Sequence, residues 1–227
     1  MSRTRKDTQV KSPCEMFLKW SGAEGCWMSY DKEKKENVKI KYDIRFLFLD
    51  QLATMTGYSD TLQAGIWSNE VRSVKRDELM VHAGKKQVFA GLYADAKASV
   101  QGSKYAQSVY ALGLIEGEYK LINLKLYGAA LTAWISFQES VGGSRKLEGN
   151  VAVVCSGVED KKKGATKYKV PVFDTLPAEK DEDELAVIAD EKLQNYLDAY
   201  LSLGKPNVST EDDDDDIDRI IDEDAPF

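Results

Sequence analysis

Residues 38–49 read Val38-Lys39-Ile40-Lys41-Tyr42-Asp43-Ile44-Arg45-Phe46-Leu47-Phe48-Leu49. Val38, Ile40, Tyr42, Ile44, Phe46 and Phe48 alternate with Lys39, Lys41, Asp43 and Arg45, and the polar side turns apolar at Leu47 and Leu49. Neighbouring side chains on a strand point to opposite faces, so the alternation predicts a strand with one core face. Its length predicts a bent strand of the kind that forms a barrel.

Downstream, Gly57, Ser59 and Asp60 predict a loop, and 66–74 predicts a second strand. A turn around Gly84 is expected at 81–86, a slight helical preference at 88–100, and a further strand at 105–114. Apolar residues recurring from Leu121 through Leu124, Leu131, Ile135 and Phe137 predict a helix over 121–139, stopped by Gly142 and Gly143. The segments 151–157 and 167–173 predict a hairpin whose loop carries Lys161, Lys162, Lys163 and Gly164. Leu185, Ile188, Leu193, Tyr196, Leu197, Tyr200 and Leu201 mark an amphipathic helix over 181–203, with acids in its first turn and Gly204 and Pro206 beyond its end. Several strands, one or two helices and long basic loops together predict a mainly β domain with helices (α+β), barrel-like and of ordinary single-domain size.

The net charge of −7 hides a division. Residues 1–176 hold 27 bases and 20 acids, a net of +7; residues 177–227 hold 4 bases and 18 acids, a net of −14. The final stretch, 211–227, has ten acids and one base, yet finishes in Pro226 and Phe227. Charge of that kind steers a segment to a basic partner, and an aromatic gives it something to insert, so a recruiting tail is expected.

Catalytic chemistry finds little purchase. The chain has one histidine, His82, and three widely spaced cysteines, Cys14, Cys26 and Cys155, which argue against a histidine-rich metal site and a disulfide framework. Dinucleotide and phosphate-loop glycine patterns are missing. Asp43 and Asp50 are an odd number of residues apart, which on a straight strand sets them on opposite faces. The expectation is a protein that is not an enzyme and uses no cofactor or metal. No apolar run is long enough to cross a membrane, and residues 1–6 lack the apolar stretch of a signal peptide.

Two ingredients of single-strand recognition are present: bases that follow phosphates and aromatics that stack on nucleobases. The candidate contacts are Lys39, Lys41 and Arg45; Arg72, Lys75 and Arg76; Lys85 and Lys86; Lys104; and Lys161, Lys162, Lys163, Lys167 and Lys169. Most aromatics in a domain of this size belong to the core, and Trp134, Phe46 and Phe48 are assigned there. Trp67, in the polar setting Gly65–Arg72, and Tyr105 and Tyr168, beside lysines, are the stacking candidates.

The ending Asp222-Glu223-Asp224-Ala225-Pro226-Phe227 resembles the acidic tail tips of bacterial and phage single-stranded DNA-binding proteins. The segments 65–71, 126–134 and 163–173 carry a similar likeness to the phage members. That resemblance implies an OB-fold-like barrel over 15–176, after a flexible basic N-terminus at 1–14. An acidic amphipathic helix at 177–204 and a disordered acidic tail at 205–227 would follow. It implies coating of single-stranded DNA during phage replication or recombination in the host cell cytoplasm. Replication or recombination proteins would be recruited through Asp222, Glu223, Asp224, Pro226 and Phe227. Edge strands and the 181–203 helix leave a homodimer open. Two rival readings stand beside this one: an acidic adaptor or DNA mimic, and a metal-dependent nuclease.

Overall fold

A computed structural model describes residues 11–31, 34–149 and 151–202. Its strands are β1 (Met16–Ser21), β2 (Cys26–Asp31), β3 (Glu36–Ile40), β4 (Arg45–Ser59), β5 (Ala64–Ser68), β6 (Leu79–Ala83), β7 (Lys86–Gly91), β8 (Ser103–Ile115), β9 (Glu118–Tyr127), β10 (Val151–Lys163) and β11 (Thr166–Pro177). The helices are α1 (Tyr93–Ser99), α2 (Gly128–Ser140) and α3 (Lys180–Ser202), with a 3₁₀ turn at Ser144–Leu147.

All eleven strands join one sheet in the order β3-β2-β1-β9-β8-β4-β5-β6-β7, with the β10–β11 hairpin attached to β4. The sheet is mixed, because β1 runs parallel to β9 while the other pairs are antiparallel. It is also open. The expected OB-fold-like barrel is therefore corrected. A closed five-stranded barrel needs its last strand to ladder onto its first. Here β11 forms no ladder with β1 or β2 among the described residues, and meets their turn through the Lys169 N–H donating to the Gly22 carbonyl and the Trp20 indole donating to the Lys169 carbonyl.

The stretch that suggested one long strand is two. Val38 and Ile40 lie on β3, the chain turns at Tyr42–Ile44, and β4 starts at Arg45 and continues to Ser59, through the expected loop at Gly57. One edge of β4 pairs with β8 along its length; the other pairs with β10 at its start and β5 at its end. A bulge at Leu49 shifts the register between Phe48 and Asp50. An extra residue reverses the alternation, so Phe46 and Phe48 enter one core while Asp50 and Leu52 emerge on the opposite side.

Three apolar clusters result. The first lies under α2 and contains Trp20, Trp27, Phe46, Phe48, Trp134 and Phe137. The second fills the β5–β6–β7–α1 end around Met55, Leu79, Val81 and Tyr93. The third lies between the sheet's other face and α3, with Leu47, Leu52, Tyr110, Leu112 and Leu121 meeting Ala186, Ala189, Leu193 and Leu197.

The helix expected over 121–139 is corrected to a strand followed by a helix. Ile122, Leu124 and Leu126 face one core while Leu121, Asn123 and Lys125 face the other side, a period of two. Leu121 and Leu124 also satisfy helical spacing, which is why the pattern misled. Gly128, at φ +56°, supplies the left-handed residue that turns β9 into α2.

Candidate nucleic-acid interface

Register shows which side chains share the face on which α3 lies. One row runs Asp50–Tyr110–Asn123–Phe17, and the position beside Phe17, one step beyond the Leu18–Ser29 pair, is Tyr30. The next row runs Leu52–Ser108–Lys125–Lys19–Met28–Lys39. Beyond it lie Thr54, Ala106 and Tyr127, then a row of His82, Trp67, Thr56 and Lys104, and then Tyr58. Cross-strand partners point the same way, so these side chains share one face of the sheet, with Leu52, Thr54, Ala106, Ser108, Tyr110 and Asn123 buried in its middle.

α3 covers only part of it. Outside the helix, large aromatics stand open: Phe17 at 52%, Tyr30 at 56%, Tyr58 at 50% and Trp67 at 46% exposure. Their in-strand neighbours Leu18, Trp20, Trp27 and Met55 are buried on the opposite side, which fixes the direction in which the exposed rings project. Lys19 and Lys39 are exposed among them, and Lys104 and Lys125 are half-buried.

Trp67 is held like a platform. One side of its indole stacks on His82 with centroids 4.2 Å apart and planes 9° from parallel, and its ring N–H donates to the Gly84 carbonyl at 2.9 Å. With 46% of the residue exposed, the indole offers ring surface on which a planar base can stack.

Where α3 meets the open surface lies a polar centre. The Glu70 carboxylate accepts from Ser108 Oγ and the Tyr110 hydroxyl, and the Glu70 N–H donates to the Tyr200 hydroxyl at 2.9 Å. Burial pushes the Tyr110 hydroxyl well above its usual pKa, and Glu70 adds to the shift. Burial holds the Lys125 ammonium below its usual range, with Glu70 partly opposing the effect. Asp50 receives a two-pronged hydrogen bond from Arg72 and another from Gln194 Nε2 at 3.2 Å.

The candidates named from sequence divide. Lys39, Trp67 and Lys104 lie on the open surface. Lys39 is ion-paired with Glu24 at 2.6 Å, and Lys169 also acts on that carboxylate, bringing the β10–β11 hairpin near the same edge a few residues from its turn. Lys41, just past β3, is exposed. Lys161, Lys162, Lys163 and Lys167 occupy the hairpin end, with Lys161 paired to Glu159 at 2.6 Å and set across from Tyr168. Lys75 and Arg76 are exposed in the segment before β6, and Lys85 and Lys86 lie at the β6–β7 turn.

Three candidates serve the fold. Arg45 donates from Nε and Nη2 to Glu182 at 2.6 and 2.5 Å, and from Nη2 to the Pro177 carbonyl, anchoring the start of α3. Arg72 is engaged by Asp50. Tyr105 points the other way and packs edge-on against Tyr93, at 5.4 Å between centroids. The tail positions Asp222, Glu223, Asp224, Pro226 and Phe227 lie outside the described residues. Sequence reading missed Phe17, Lys19, Tyr30, Tyr58 and Lys125. Alternation in Met16–Ser21, with Leu18 and Trp20 against Phe17 and Lys19, carried part of that signal.

Among the described residues, no group of three or more His, Cys, Asp or Glu side chains is placed to hold a metal ion. No helix there is long and apolar enough to cross a membrane. No family model, curated protein or solved structure matches the chain. The open mixed sheet corrects the resemblance to the OB-fold single-stranded DNA-binding family, because the closed barrel it implied is not formed.

Proposed function

We propose that the protein binds single-stranded DNA along the open sheet face, with little sequence preference and without catalysis. The observation that carries this reading is that Phe17, Tyr30, Tyr58 and Trp67, all exposed, share one register-defined sheet face with Lys19, Lys39, Lys104 and Lys125. Exposed aromatic rings offer π-faces that every base can use, and the lysines follow the phosphates. Duplex DNA hides its base faces, so this surface favours unpaired strands. The acidic segment ending in Pro226 and Phe227 serves to recruit basic partner proteins working on the same DNA.

Intrinsic fluorescence tests the reading directly. Of the four tryptophans, Trp20, Trp27 and Trp134 are buried and Trp67 is exposed. Titration with oligo-dT should quench the emission, and Trp67→Phe should abolish the quench while leaving the thermal melt intact. An unchanged quench in that variant, or no response in the native protein, would reject the surface.

A further inference from the structure

The helix α3 is an unusual cover for a sheet. Its 23 residues include seven acids and two bases, and three of its apolar residues, Leu185, Val187 and Ile188, are exposed. Apart from Glu182, the side chains it buries are Ala186, Ala189, Leu193 and Leu197. Polar clasps hold both ends: Glu182 on Arg45 at the start, and Tyr200 on the Glu70 N–H with Gln194 on Asp50 toward the finish.

The helix rests on Leu47, Leu52, Tyr110, Leu112 and Leu121, and from Tyr110 outward the same sheet face turns polar through Ser108, Asn123 and Lys125, with Glu70 bonded to Ser108 and Tyr110. Asn123 is 3% exposed and its Nδ2 donor has no hydrogen-bond partner among the described residues. A buried donor left unpaired is disfavoured, and such groups are rare in settled cores. Asn123 stands between Tyr110, packed in the α3 cluster, and Phe17, which is open. The polar strip is thus the direct continuation of the exposed surface.

We infer that α3 is a displaceable cover, and that the strip Ser108–Tyr110–Asn123–Lys125 is a second binding subsite for single-stranded nucleic acid that opens when the helix leaves. The inference rests on the single-strand reading above. Charge sets its direction. An arriving phosphate backbone repels a helix of net −5 and attracts Lys125, so the strand favours the uncovered state. The hinge for displacement is Pro177–Glu179, which joins β11 to α3.

Hydrogen exchange on the full-length protein, read by mass spectrometry with and without saturating oligo-dT, tests this. Amides of α3 should exchange faster in the complex while those of α2 keep their protection. Equal or greater protection of α3 would overturn the proposal. Tyr200→Phe removes one clasp without touching the core, and should lower the dissociation constant for oligo-dT about fivefold by raising the uncovered population. An unchanged or weaker affinity in a normally folded variant would also overturn it. Were the native protein not to bind oligo-dT, the function itself would fall and the cover with it. Binding with an unresponsive α3 would remove the cover alone.

Discussion

Removing the Glu182 carboxylate should loosen α3 and destabilise the whole chain. The side chain is almost completely buried. It accepts from Arg45 Nε at 2.6 Å and Nη2 at 2.5 Å, from the Tyr119 hydroxyl at 3.1 Å and from the Glu179 N–H at 2.8 Å. Breaking a buried ion pair by deleting one partner destabilises by about 3–5 kcal/mol, because the remaining charge is left uncompensated. Arg45 keeps 20% side-chain exposure and its bond to the Pro177 carbonyl, which relieves part of that penalty. Glu182→Ala should therefore destabilise by about 2–3 kcal/mol. At about 2–4 °C per kcal/mol for a chain of this size, the melting temperature should fall by about 5–10 °C.

The same carboxyl gives the pH dependence its sign. Hydrogen bonds from Arg45 lead the effects that hold its pKa below the usual value, against the opposing effect of burial. A group with a depressed folded pKa contributes stability above its unfolded pKa, about 4.3 for glutamate, and loses it as pH falls through the folded value. Native protein should therefore lose part of its advantage over Glu182→Ala below about pH 4, in urea melts followed by far-UV circular dichroism. A variant within about 1 kcal/mol of native stability at pH 7, or a stability gap that widens in acid, would refute the anchoring role.

Lys19→Ala and Lys125→Ala should each reduce the slope of log affinity for oligo-dT against log salt by about 0.7, whereas Arg45→Ala should lower the melting temperature and leave the slope unchanged. Trp67→Ala should weaken oligo-dT binding about tenfold with a native melt, while Trp134→Ala, which empties the centre of the α2 core, should destabilise by about 3–5 kcal/mol. Gly102→Ala should destabilise by about 1–3 kcal/mol in thermal melts, because its φ is +83° and a Cβ there would meet the Tyr58 carbonyl at 2.1 Å.

Local patterns were legible where one face alone was buried. The α3 helix was read nearly to its ends, and the β10–β11 pairing was read with strands too short, because lysines on both faces of the hairpin end looked like a loop. Val38–Leu49 was read as extended, but the turn at Tyr42–Ile44 and the bulge at Leu49 depend on what pairs with each edge, which alternation does not encode. The barrel failed for the same reason: strand order is a property of distant pairings, including the parallel β1–β9 contact. At the site, lysine and aromatic types were recognisable but their destinations were not. Arg45 and Lys39 sit on comparable charged positions in sequence, yet Arg45 is drawn to a carboxylate far along the chain while Lys39 stays on the open surface. Phe17 and Tyr30 were not singled out, because nothing local says that no helix covers them.

The most direct measurement is fluorescence anisotropy of labelled oligo-dT of about 30 nucleotides, a length ample for one site. It would be titrated at two salt concentrations with native protein and with a Phe17→Ala/Lys19→Ala/Trp67→Ala variant of native melting temperature. Stacking and charge on the open sheet face predict salt-sensitive binding by the native protein that the triple variant largely loses. Absence of binding, or equal binding by both proteins, would contradict it.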